Sequence, residues 1–200
     1  MNSFRKSWDR VWQGIGGFGE SHDLMAQILE RYSESPRHYH TLQHLKECLV
    51  LAEKSSDLSE NPLIVEIALW FHDVIYDVQM PNNEEKSAVF AETELKQRGI
   101  ASEIIQRVSQ LILITRHSAQ PKTSDEGILA DIDLAILGAN NARFLQYEQQ
   151  IRREYEWVPE SVYRVKRKEI LEGFLSRDYI YNTSRFRDIY ENKARENLLN

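Results

Sequence analysis

An apolar run that starts near Leu63 ends in the adjacent pair His72-Asp73, with Asp77 four residues further on. Such a run is the mark of a core helix, and a histidine and an aspartate at its end are costly to bury unless something compensates their polarity. A metal ion does this well. A purely structural alternative has His72 capping the helix and Asp73 forming an ordinary turn. The rest of the chain weighs between the two.

Helical periodicity dominates on both sides of this run, and no alternating strand pattern occurs. Phe4, Trp8, Val11, Trp12 and Ile15 follow helical spacing, and Gly14, Gly16, Gly17 and Gly19 then break the helix. Leu24, Ile28, Leu29 and Tyr32 mark a second helix, stopped by Ser35-Pro36. A third is expected to begin near Tyr39 and to carry His40, His44, Leu45 and Cys48. Ser55 to Asn61 reads as a loop, and Pro62 suits the first turn of the helix leading to His72. A loop from Asp77 to Asn83 precedes a helix that stops at Gly99.

The next helix spans Ile104 to Ile114 and ends at Arg116-His117. An apolar one over Ile128 to Leu137 is interrupted by Asp131 and Asp133. Two more carry Phe144 to Tyr155 and Val162 to Phe174, and a last one runs from about Ser184 to Leu199. Trp8, Trp12, Trp70 and Trp157 are assigned to core packing. The expected fold is all-α: one helical bundle over residues 1–200, with a metal-site core at about 37–137 and the C-terminal helices packed on it.

Composition narrows the function. With 42% hydrophobic and 28% charged residues the chain is globular, not disordered. A formal charge of −6 argues against a general affinity for polymeric nucleic acid, whose binding rests on neutralising phosphates. Cys48 is the only cysteine, which excludes a disulfide framework within the chain and a cysteine-based zinc site. No run approaches transmembrane length and no leader pattern opens the chain, so a cytoplasmic protein without membrane attachment is expected.

Five of the six histidines fall between His38 and His117. His40 and His44, spaced i and i+4, would share one helix face. His72 and Asp73 end a second helix. Asp131 sits in a third among Leu129, Ala130, Ile132 and Leu134, where a lone buried carboxylate would need a partner. Three helices can thus offer imidazole and carboxylate to one interior point, a donor set that suits Mn or Fe, with Zn, Co, Ni or Mg as further candidates.

The order His44, His72-Asp73, Asp131 resembles the HD-domain superfamily of metal-dependent phosphohydrolases, and within it the predicted-phosphohydrolase branch. The resemblance covers nearly the whole chain. It rests on Arg37-His38-Tyr39-His40-Thr41-Leu42-Gln43-His44, Trp70-Phe71-His72-Asp73, Asn83-Glu84-Glu85-Lys86-Ser87-Ala88 and Ala130-Asp131-Ile132-Asp133-Leu134. Arg177-Asp178-Tyr179-Ile180-Tyr181 and Ala194-Arg195-Glu196-Asn197-Leu198 extend it.

The resemblance implies four metal ligands: His44, His72, Asp73 and Asp131, with Asp133 as the alternate, since the two aspartates lie about 200° apart on a helix. Tyr39-His40-Thr41-Leu42-Gln43-His44 resembles the Tyr-His-Asn-x-x-His of cyclic-nucleotide phosphodiesterases, which gives His40 the role of proton donor to the leaving oxygen; Thr41 replaces the Asn. His72-Asp73-Val74-Ile75-Tyr76-Asp77 resembles the His-Asp-x-x-Glu-Asp of alarmone hydrolases, with Tyr76 in place of Glu, and makes Asp77 the carboxylate that handles water. The alternative for Asp77 is a turn-forming residue bonded to nearby backbone. Arg37, Lys86, Arg116 and His117 flank these motifs as candidate substrate contacts, His117 also as a second-metal ligand.

The expected activity is metal-dependent hydrolysis of a small phosphorylated molecule, a nucleotide or a pyrophosphate-containing nucleotide, through attack of metal-activated water on phosphorus. A homodimer is compatible with the sequence. Two rivals remain: a di-iron oxygenase of the same fold, and a helical protein that binds metal or nucleotide without catalysis.

Overall fold

The computed structural model describes residues 2–199, and among these it contains helices and no strand. The element that positions everything else is α4 (Pro62–Phe71), which packs against α1 (Asn2–Gly14), α3 (Leu42–Lys54), α5 (Asn83–Gln97), α6 (Ser102–Ile114) and α7 (Ser124–Asp133). Pro62 opens it, where a missing N–H costs nothing. Ile64 to Phe71 are all buried, so this helix is covered on every side. Its one interior charge, Glu66, accepts hydrogen bonds from Ser7 Oγ and Arg10 Nη2, both at 2.6 Å. Trp8 closes this end of the core, stacked on Trp12 and edge-on to Trp70.

The start of α3 differs from the sequence expectation. Thr41 caps it, its hydroxyl accepting from Gln43 N, so the helix begins at Leu42. His40 therefore precedes the helix and does not share a helical face with His44. Gly99, with φ of 75°, reverses the chain between α5 and α6, a conformation that favours glycine.

Beyond α7 the chain tightens into a 3-10 turn, Leu134–Gly138, where one continuous helix to Leu137 was expected. It continues into α8 (Asn141–Glu154), capped by Asn140, and α9 (Glu160–Leu175). No residue of α9 is buried, and Trp157, expected in the core, is 53% exposed just before it. The earlier α2 (His22–Arg31) buries Leu24 and Ile28. The last segment is an α-helix interrupted by a π-turn: α10 (Ser184–Phe186), the π-turn (Arg187–Glu191) and α11 (Asn192–Leu199).

The C-terminal motifs act as clasps. Glu191 accepts from the backbone N–H groups of Ile180 and Tyr181 and from Arg195. Arg195 donates to the carbonyls of Leu175, Arg177 and Asp178. Asn197 donates to Leu137 and Ala139. Together these fasten residues 175–181 and the end of the 3-10 turn to the C-terminal segment. No helix among the described residues is long and apolar enough to cross a membrane.

Candidate metal centre and its cavity

α4 ends at Phe71 because the backbone groups that follow are taken by side chains from elsewhere. Tyr32 Oη accepts from Asp73 N at 3.2 Å. Arg37 donates to the carbonyls of Asp73 (2.6 Å), Val74 (3.0 Å) and His40 (3.3 Å). A guanidinium at a helix C-terminus satisfies carbonyls that the helix leaves orphaned. Arg37 is buried and so occupied, which corrects its expected role as a phosphate contact: it is a strut that ties the His40 segment to the His72-Asp73 turn.

That turn aims its side chains at α3 and α7. His44 Nε2 and His72 Nε2 lie 3.0 Å apart. Asp73 Oδ2 is 3.0 Å from His72 Nε2 and 3.4 Å from His44 Nε2. Asp133 Oδ1 is 3.3 Å from His44 Nε2 and 3.6 Å from His72 Nε2. His72 Nδ1 is 2.8 Å from the carbonyl oxygen of Leu69, which can only accept, so Nδ1 carries the proton and Nε2 presents its lone pair to the cluster. Metal-ligating histidines are commonly oriented in this way.

Lone pairs gathered this closely repel one another unless positive charge lies between them. Donors about 2.1 Å from a transition ion, at tetrahedral or octahedral angles, stand roughly 3.0–3.4 Å apart. Four of the five observed spacings fall in that range, and the fifth, His72 Nε2 to Asp133 Oδ1, is 3.6 Å. The cluster's proton affinities express the same demand for positive charge. Burial works against a charged His72, yet Asp73, Tyr32 and Asp133 together outweigh it and hold the imidazole well above its ordinary range. Asp133, for which burial also opposes the charged form, is held well below the usual carboxylate range by His117, His44 and His72.

Cys48, one turn after His44, was left out by sequence reasoning. Its thiol belongs to a buried group with His44, His72 and Asp133, whose ligand atoms all lie within 4.8 Å of one another and could hold a metal ion. The sulfur is 3.7 Å from both ring nitrogens of His44, so it lies beside the ring and not along the Nε2 lone pair. Asp73 Oδ2, at 3.0 and 3.4 Å from the two imidazoles, is the better-placed donor.

Asp131 does not join the cluster. Its carboxylate is fully buried and accepts from Asn182 N (2.6 Å), Asn182 Nδ2 (2.9 Å), Thr183 N (2.7 Å) and Thr183 Oγ1 (2.7 Å). Every residue from Gly127 to Ile132 is buried, so apolar neighbours cannot tell which face meets α4. Two positions on, Asp133 turns to the histidines. Its Oδ2 is 2.8 Å from His117 Nε2, which brings His117 to the site as expected. His117 has φ of 54°, an uncommon conformation for a residue with a side chain, and Arg177 holds its carbonyl at 2.8 Å.

Asp77 is exposed on the loop after the turn, where its Oδ1 accepts from Gln79 N at 2.9 Å and its own N–H donates to Asn83 Oδ1. The chain does not continue as helix past Phe71, so Asp77 is not carried one turn beyond Asp73. It has the turn-forming geometry. Lys86 and Arg116 lie outside the cavity wall, and Arg116 pairs with Glu85 at 2.6 Å.

Asp73 and Asp133 open onto a cavity of about 560 Å³. His40 and His117 line it beside them, and Tyr76, Tyr155, Trp157, Tyr163 and Phe174 form aromatic walls. Arg167 and Lys166 reach it from α9. The Arg167 guanidinium is paired with Glu148 and lies 5.1 Å from the Tyr147 ring centroid. No model of a known family, no curated protein and no solved structure matches the chain.

Proposed function

We propose that the protein is a metal-dependent phosphohydrolase acting on a small phosphorylated molecule with a planar ring, a nucleotide by preference. The observation that carries this reading is the convergence of two imidazole nitrogens and two carboxylate oxygens at 3.0–3.6 Å, open to an aromatic-walled cavity. His44, His72, Asp73 and Asp133 would hold a divalent ion. Such an ion supplies a Lewis acid for a phosphoryl oxygen and lowers the pKa of water.

The surrounding residues divide the proton work. His117 gives its Nε2 to Asp133, which leaves Nδ1 free to accept a proton from water entering the cavity. His40, on the same cavity, delivers a proton to the leaving oxygen as its bond to phosphorus breaks. Tyr155, Trp157, Tyr163 and Phe174 give a base faces to stack on and exclude water from it.

The test is a panel of nucleotides, cyclic nucleotides, pyrophosphates and sugar phosphates, assayed with Mn, Co or Zn supplied. Phosphate release that disappears on chelation and in Asp73→Ala, with helical circular dichroism retained, is the expected result. Absence of turnover across the panel by metal-loaded protein would overturn the reading in favour of a binding protein.

A further inference from the structure

Glu154 ends α8, where the helix dipole disfavours an acid, and its side chain is completely buried. Five donors compensate. Its Oε1 accepts from three consecutive backbone N–H groups, His38 (2.8 Å), Tyr39 (2.7 Å) and His40 (3.0 Å). Its Oε2 is 2.8 Å from His40 Nδ1 and accepts from Tyr76 Oη at 3.1 Å. The His40 ring is also gripped by aromatics. Tyr76 stacks on it with centroids 4.0 Å apart, and Tyr39 meets it edge-on at 4.8 Å.

A carboxylate only accepts, so a proton resides on His40 Nδ1. The other ring nitrogen, Nε2, has no hydrogen-bond partner among the described residues, and the ring lines the cavity beside Asp73 and Asp133. We infer that Glu154 is a positioning residue that fixes the tautomer and the rotation of His40, so that Nε2 is the atom that exchanges a proton with a molecule in the cavity. Proton delivery itself rests on the phosphohydrolase reading; the fixed tautomer does not. In the step, the Nε2 proton of the ring passes to the leaving oxygen as the P–O bond breaks. The ring keeps its Nδ1 proton on Glu154 throughout and regains the other from solvent.

The amide of Glu154→Gln keeps the shape but has one acceptor. If its oxygen serves the three backbone N–H groups, its NH2 faces His40 Nδ1 and drives the ring proton to Nε2. The full chain, labelled with ¹⁵N-histidine and observed by long-range ¹H–¹⁵N NMR in mildly alkaline buffer, reads the tautomer directly, with His40→Asn assigning the signals. The expected result is a protonated Nδ1 in the wild type and a protonated Nε2 in Glu154→Gln. A wild-type His40 protonated at Nε2, or the same tautomer in both proteins, overturns the inference; the wild-type spectrum alone decides if the variant does not fold.

The metal-loaded protein is then given phenyl phosphate, whose leaving group needs a proton, and p-nitrophenyl phosphate, whose leaving group departs as the anion. Glu154→Gln is expected to lose about 10²-fold or more in kcat on phenyl phosphate. It should lose less than about tenfold on p-nitrophenyl phosphate, with KM little changed on either. An equal loss on both overturns proton delivery. Wild-type protein that hydrolyses neither probe removes the phosphohydrolase reading and proton delivery with it, and the tautomer result still decides what Glu154 does to His40.

Discussion

Replacing Asp131 and Asp133 separately by alanine should have opposite outcomes for metal content. Asp131→Ala strands the half-buried backbone N–H groups of Asn182 and Thr183, along with the side-chain donors of both residues. An unsatisfied buried donor costs about 1–3 kcal/mol. Against this, the mutation relieves the burial that raises the Asp131 pKa, a sign that burial outweighs its hydrogen bonds. The expected net loss is about 2–4 kcal/mol, or roughly 5–15 °C in Tm for a chain of this size. Metal content should stay at the wild-type level. Asp133→Ala removes one of two carboxylates facing the same two imidazoles, so it should bind metal far more weakly. Its metal-free Tm should also fall, because His117, His44 and His72 hold the Asp133 pKa low and the charged carboxylate therefore stabilises the fold at neutral pH. Calorimetry on metal-free protein, with elemental analysis of metal-loaded protein, reads both quantities. Loss of metal in Asp131→Ala at unchanged Tm, or full metal in Asp133→Ala, would refute the assignment.

Asp77→Asn should keep turnover within about threefold of wild type, because Asn supports the same turn; a loss in the general-base range of about 10²-fold or more would return Asp77 to the mechanism. Cys48→Ala should retain metal stoichiometry, since the thiol lies beside His44 and not on its lone pair; elemental analysis showing half or less would make Cys48 a ligand. Glu154 has its pKa lowered from 4.5 to about 2, with burial opposing and His40 and the backbone donors prevailing. Its stabilisation is therefore complete above about pH 4.5 and lost as the pH falls towards 2. The gap corresponds to roughly 3 kcal/mol, so the wild-type advantage over Glu154→Gln in urea melts should shrink across that window, and a constant difference would contradict it. A Mn²⁺ or Co²⁺ excess of about 100 times Kd should add about 2.7 kcal/mol to stability, seen as a rise in Tm that chelator reverses; no rise with either ion, or with Zn²⁺, would speak against the centre.

The parts of the site that were legible in the sequence are those fixed by one helix and its end. Pro62 and the apolar run determine α4, the run stops at His72-Asp73, and both residues meet His44 from α3. What was illegible depends on where a helix stops or changes pitch. Thr41 captures Gln43 N and starts α3 late, which separates His40 from the helix and hands it to Glu154. Tyr32 and Arg37 capture the backbone beyond Phe71, which leaves Asp77 on a surface loop. The second capture leaves no local signal, because its donors and acceptors lie some 40 residues apart in the chain.

Two features had a signal that pattern reading passed over. Phe144, Tyr147 and Ile151 define a buried stripe on α8, and the next position on that stripe is Glu154, not Tyr155. A carboxylate at the end of an apolar stripe needs donors, and those it finds belong to the segment that carries His40. The same question of partners, put to Asp131 and Asp133, separates them where position among apolar neighbours does not. Asp131 has four neutral donors that satisfy it without a cation. Asp133 has one oxygen on His117 and the other facing the imidazoles of His44 and His72, and that unfinished coordination is what makes it the candidate ligand of the two.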